Sequence, residues 1–187
     1  MVNMRPFTAF EQKNLKFLVN HNVKFTQVEI TPTGLGKGIL DSTAPMRAYF
    51  LENGIHNYEG QLQGQEHKQI KQACILTDAT QFFTKASFYR PNTKKGDPRM
   101  WIYGLGAHTD GNDIHVLFWH EQTLYSINIS HIDIEKCYDS VLITPMQDIL
   151  KAINKAGNSV SDELLGRLRA VMDQWFESEV TAATGIG

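Results

Sequence analysis

Gln81-Phe82-Phe83-Thr84-Lys85-Ala86-Ser87-Phe88-Tyr89, then Arg90-Pro91-Asn92-Thr93-Lys94-Lys95-Gly96-Asp97-Pro98, then Arg99-Met100-Trp101-Ile102-Tyr103-Gly104-Leu105, decide how this chain folds. The first and third segments are rich in aromatic and apolar residues, the composition of strands. The middle one is dense in Pro, Asn and Gly, which turn a chain. The reading is strand, hairpin connection, strand. Working outward, Ile70 to Leu76 is a strand before this unit, and Asp113 to Trp119 and Thr123 to Ser130 are strands after it. Val23 to Ile30 alternates apart from one register step, and a short strand falls near Ile39-Leu40. Many short strands with one early helix predict a mostly β protein with accessory helices, an open pseudobarrel of about seven strands.

Helix signals flank the strands. Thr8-Ala9-Phe10-Glu11 is a capping box opening a helix to about Asn20. Thr43 with Pro45 starts a second helix that Gly54 stops. Thr144-Pro145 opens a third that Gly157 closes. Ser161-Asp162-Glu163 opens a fourth to about Val180, with Leu164, Leu165, Leu168, Val171, Met172, Trp175 and Phe176 at helical spacing. His56 to Gln69 is rich in Gln and Gly, has few apolar anchors and reads as a loop. The expected division is a β domain over 1–142 and a helical extension over 143–187. The chain stops at Thr184-Gly185-Ile186-Gly187 without a cap or charged tail, so the expectation is a boundary inside a longer protein.

The 187 residues are 42% apolar and 20% charged, an ordinary globular composition with material for a core. No apolar run approaches the roughly 18 residues of a membrane helix, and Met1 to Phe7 lacks the pattern of a secretory leader. Cys74 and Cys137 read as buried thiols. The expected compartment is the cytoplasm, with no membrane partner. The net charge of −2 hides an asymmetry: residues 1–105 hold thirteen Lys/Arg against eight Asp/Glu, and residues 106–187 hold five against twelve. A basic part beside an acidic one points to an anionic partner on one face.

The basic hairpin is the strongest local signal. Lys85, Arg90, Lys94, Lys95 and Arg99 are accompanied by one acid, Asp97, with Tyr89 and Asn92 interleaved. Cations on a two-stranded ribbon can follow phosphates, and the ribbon fits the major groove. A solvated, charge-protected strand edge is the plain alternative. Thr31-Pro32-Thr33-Gly34-Leu35-Gly36-Lys37-Gly38 is a glycine-rich arm with one lysine. Its glycine spacing is not that of a nucleotide-binding loop, which excludes nucleotide hydrolysis. Close approach of Gly36 to a backbone, with Lys37 on a phosphate, stands beside a merely flexible loop. The glutamine-rich loop from His56-Asn57-Tyr58 to Gln65, with Gln63 in it, offers amides that suit base edges and equally suit a surface loop.

Catalytic signals are sparse. Glu66-His67-Lys68 matches the E-x-K half of a metal-dependent nuclease site, but the nearest upstream acid, Glu59, shares its loop. The seven histidines show no zinc spacing with the cysteines, no nucleophile-elbow motif occurs, and Trp101, Trp119 and Trp175 sit at apolar core positions. No cofactor and no metal are expected. The rivals to a DNA-binding module are a small nuclease using Glu66 and Lys68, and a protein-interaction module using the C-terminal helices.

The strand and arm order resembles the B3-type DNA-binding pseudobarrel, which occurs in plant transcription factors and as the N-terminal effector domain of EcoRII-like and UbaLAI-like Type IIE restriction endonucleases. The resemblance covers about Val23 to Ser130. It implies a first arm, Thr31 to Gly38, between the first two strands, and a second arm, Tyr89 to Arg99, between the fourth and fifth, together gripping the major groove. Thr184-Gly185-Ile186-Gly187 resembles the opening of the catalytic domain of MvaI-type endonucleases. The resemblance thus implies a non-catalytic, monomeric effector domain for double-stranded DNA, with a target like CC(A/T)GG and a C-terminal nuclease domain that does the hydrolysis. The residues expected on DNA, from the two arms together with the basic hairpin and the glutamine-rich loop, are Thr33, Gly36, Lys37, Gln63, Lys85, Tyr89, Arg90, Asn92, Lys94, Lys95 and Arg99. One departure is the lysine-rich second arm, since lysine meets phosphate as a point charge and reads guanine less well than arginine.

Overall fold

The computed structural model describes residues 4–139 and 145–157. They fall into two compact units, one of residues 25–76 and 81–128, the other of residues up to 24, 77–80 and from 129 onward. The first unit is a seven-stranded mixed sheet curled into an open half-barrel, so the protein is mostly β with accessory helices. Its strands are β1 (Thr26–Glu29), β2 (Leu40–Asp41), β3 (Gln69–Leu76), β4 (Gln81–Tyr89), β5 (Arg99–Ile102), β6 (Ile114–His120) and β7 (Thr123–Asn128), in the order β1-β6-β7-β3-β4-β5-β2. Every pairing is antiparallel except β3 with β7, where Ala73 to Leu76 run beside Leu124 to Ile127. The two edge strands are only four and two residues long, which limits unpaired backbone open to another chain.

Side-chain alternation sorts the sheet residues. Ala73, Ile75, Ala86, Phe88, Met100, Ile102, Leu117 and Leu124 join one buried cluster. The helix α3 (Ala44–Glu52) completes it with Met46 and Phe50, both fully buried. Phe50 meets Phe88 edge-on at 5.3 Å, a favoured aromatic geometry. Thr43 caps α3, accepting from the Met46 N–H, and Gly54 beyond its end has φ +67°, as the sequence predicts.

Two strands and the glycine-rich arm depart from expectation. The strand expected over Arg99 to Leu105 ends at Ile102, because Gly104 at φ +84° turns the chain into a short 3-10 turn, Leu105–His108. The strand expected from Val23 begins at Thr26. The glycine-rich arm is a six-residue helix, α2 (Pro32–Lys37). Thr31 accepts from the Gly34 N–H, Pro32 stands in the first turn, and Gly38 closes the helix at φ +64°. Gly34 is forced by space, since a Cβ there would lie 2.6 Å from the Ile39 carbonyl oxygen.

The other unit holds α1 (Ala9–Asn20), α4 (Ile134–Asp139) and α5 (Pro145–Gly157). The Thr8 capping box forms in full: Thr8 Oγ1 accepts from the Glu11 N–H, and Glu11 accepts from the Thr8 N–H. The Glu11 carboxylate is buried and also takes Arg5 and Ser130. Asn14 donates to the Ile129 and Ile132 carbonyls and accepts from the Ile134 N–H. α4 was not expected, and α5 matches its prediction. The helix expected over 161–180, with Trp175, and the Thr184–Gly187 turn lie outside the described residues. Among the described residues no helix is long and apolar enough to cross a membrane. Cys74 is buried, and burial pushes its thiol up to about 11; Cys137 is half-buried.

Candidate nucleic-acid interface

The site starts where β4 leaves the sheet. Tyr89 pairs with Arg99, so the hairpin is closed at its base and Arg90 to Pro98 form the connection. At its tip Lys94, Lys95 and Gly96 take φ of 50°, 59° and 71° in succession. A left-handed lysine costs roughly 1–2 kcal/mol, and the turn is held by the Gly96 N–H donating to Thr93 O and the Asp97 N–H donating to Lys94 O. The result is two adjacent, exposed ammonium groups on a fixed turn. Among the described residues neither Lys94 nor Lys95 makes an ion pair, and Lys37 and Lys85 make none either. Asn92 beside the tip is exposed as well.

Arg90 is committed to the protein itself. Its Nε donates to Gly96 O at 2.8 Å and its Nη1 donates to Gln61 O at 3.3 Å, while the Arg90 carbonyl accepts from the Gly64 N–H at 2.7 Å. One arginine therefore ties the glutamine-rich segment to the basic turn. That segment, expected as a loop with few apolar anchors, is more structured than that. It contains two 3-10 turns, Tyr58–Gly60 and Gln65–His67, and Ile55 and Tyr58 are core residues. The Tyr58 hydroxyl donates to Arg99 O, so its contact with Ser42 is one in which Ser42 donates. Gln61 is buried, and its Nε2 donates to both His67 O and Phe88 O. Its Oε1 must then accept from His56 Nε2–H at 2.9 Å. His56 stacks on Phe88 at 5.1 Å, and burial holds its imidazole below the ordinary value despite that hydrogen bond.

The same packing brings Gln63 to the basic turn. It is exposed, yet its side chain lies so close to Gly96 that a Cβ there would fall 2.7 Å from Gln63 Cδ. A shallow cleft of about 450 Å³ opens beside the segment, lined by His56, Asn57, Gln61, Gln69 and Lys71 among others. Lys71 and Arg47 are cations near this region that sequence reasoning did not select. Arg47 donates to Ser42 O at 2.6 Å from its place on α3, and no local pattern marks either.

The remaining expected residues are dispersed. Thr33, Gly36 and Lys37 are exposed on α2, and the Gly36 Cβ position is open space. α2 leads into β2, whose Leu40 and Asp41 pair with Met100 and Arg99, and Gly38 lies beside Trp101. The two expected arms are thus both joined to β5, the first beside Trp101, the second at Arg99. Lys85 is exposed in mid-strand, opposite Gln72. The Arg99 side chain is only 15% exposed; among the described residues its Nε has no hydrogen-bond partner, and it stands 4.0 Å from Asp41 Oδ1. Tyr89 is buried, with the Lys68 ammonium 5.0 Å from its ring centre. Glu66 is well exposed on its 3-10 turn, and among the described residues no group of three or more metal-ligating side chains includes it.

No family model, curated protein or solved structure matches the chain.

Proposed function

We propose that this chain is a double-stranded DNA-binding module that docks the β4–β5 turn and α2 against the duplex. The observation that carries the reading is the pair of exposed ammonium groups of Lys94 and Lys95, free of carboxylate partners among the described residues, on a hydrogen-bonded turn. Unpaired cations on a fixed support are suited to displacing counterions from phosphates, and a two-stranded ribbon has the width to enter a major groove about 12 Å wide. Lys37 on α2 supplies a second, separate charge. The B3 likeness of strand and arm order supports the finer reading, an effector domain of a Type IIE restriction endonuclease. In that reading the site resembles CC(A/T)GG and hydrolysis belongs to a nuclease domain elsewhere in a longer chain.

Fluorescence anisotropy with a labelled duplex carrying CC(A/T)GG and with a scrambled duplex tests this. Tighter binding to the first, with affinity falling steeply with salt, is expected. Equal and salt-independent binding to both, or none, sinks the reading. Incubation of plasmid with Mg²⁺ is expected to leave it intact. Nicking that disappears in Glu66→Ala would establish the nuclease rival instead.

A further inference from the structure

We propose that the glutamine-rich segment, with Gln63 at its front, is a third element of the DNA-binding edge, and that Arg90 positions it rather than touching DNA. The inference rests on the reading above and deepens it. Arg90 Nε donates to Gly96 and Nη1 to Gln61, while its carbonyl takes the Gly64 N–H. Three bonds from one residue bracket Gln63 on one side and the lysine turn on the other. Gln61, buried, is fixed in turn by the Phe88 and His67 carbonyls and by His56. Gln63 itself stays exposed and lies against Gly96, immediately beside Lys95.

An amide held next to two phosphate-seeking ammonium groups has the chemistry for a base edge. Glutamine pairs bidentately with adenine, which lysine cannot do. The guanidinium already gives its Nε–H and one Nη1–H to carbonyls, so the side-on fork through Nε is closed to guanine. The division of labour is therefore Lys94 and Lys95 on phosphate, Gln63 on a base, and Arg90 as the strut between them.

The experiment pairs hydrogen–deuterium exchange of the free protein with duplex binding at several salt concentrations. Gln63→Ala should bind the preferred duplex roughly tenfold or more weakly, the scale of one bidentate pair, and the scrambled duplex as before. Arg90→Ala should speed exchange at Gly64 and Gly96 and weaken binding without changing the slope of log affinity against log salt. Gln61→Ala, which removes no charge, should reproduce both effects. If Arg90→Ala leaves exchange unaltered and lowers the slope by about 0.9, the increment of one phosphate, or erases preference at one base pair, Arg90 contacts DNA directly and the inference fails. A wild-type protein that binds no duplex overturns the DNA reading as a whole. A wild-type protein that binds, with Gln63→Ala and Arg90→Ala binding equally well, overturns only this inference.

Discussion

Replacing Lys94 and Lys95 together with alanine isolates the charge of the β4–β5 tip from its shape. Both lysines sit at positive φ, 50° and 59°, and alanine meets the same left-handed penalty as any residue with a Cβ. The substitution therefore leaves the cost of the turn nearly unchanged. The hydrogen bonds that hold it run between backbone atoms of Thr93, Lys94, Gly96 and Asp97 and survive. What is lost is two charges that make no ion pair among the described residues. Each phosphate contact contributes roughly 0.9 to the slope of log affinity against log salt, so the double variant should lower its magnitude by about 1.8 if both lysines meet phosphates. The loss should be nearly the same on preferred and scrambled duplexes, since phosphate carries no sequence information. Anisotropy titrations across a tenfold range of salt measure this. Parallel lines for wild type and variant would refute the reasoning and leave the tip a solvated edge. Glycine at the same two positions serves as the control for shape: it should lose the same slope while raising the melting temperature, because the left-handed strain is relieved.

Other predictions concern α2 and the two cores. Lys37→Ala should weaken binding modestly and by a similar factor on every duplex, and a change in preferred sequence would show that α2 reads bases. Phe50→Ala, at a fully buried ring packed on Phe88, should cost about 3–5 kcal/mol in urea unfolding. Burial pushes the Tyr49 hydroxyl up to about 12, so the unfolded chain ionises first. Stability should fall as pH rises from about 10 to about 12, by up to roughly 3 kcal/mol, and fall less in Tyr49→Phe. Burial opposes ionisation of Glu11, but hydrogen bonds from Arg5, Ser130 and the Thr8 N–H outweigh it and hold the carboxyl below its ordinary value. Its contribution is present above about pH 4.5 and lost as pH falls through the folded value, so acid unfolding should be shallower in Glu11→Gln.

Local signals were read well where one short stretch contains its own physics. The Thr8 box, the Thr43–Pro45 start and the β4 boundaries need no distant partner. The α2 helix was missed although Thr31, Pro32 and Gly38 are a cap, a first-turn proline and a stop; its glycines drew the reading towards a flexible arm. Tyr89 looked like a ligand-facing aromatic beside the cations, yet strand alternation and the hairpin fold bury it. The tie from Arg90 to Gln61 spans 29 positions, and the parallel pairing of β3 with β7 joins segments about 50 apart. No periodicity records such long-range pairings. The exposed lysines were identified from charge density alone, because unpaired cations need nothing but solvent around them.

The strand order also has a consequence for how the molecule is made. β2 to β5 form a contiguous antiparallel sheet from residues 40–102, nested between β1 and its partner β6, whose register sets Thr26 beside Leu117. Pairing β1 with β6 in a bare chain closes a loop of about 90 residues, a slow and entropically costly step. Prior folding of the nested segment shortens that loop to a few flexible connections and leaves β7 a template edge on β3. Assembly is thus expected to proceed from the inside out, with residues 69–102 acquiring hydrogen-exchange protection before β1 does. A circular permutant opened between β5 and β6 would separate the nested segment from β6 in the chain and should refold more slowly than the parent.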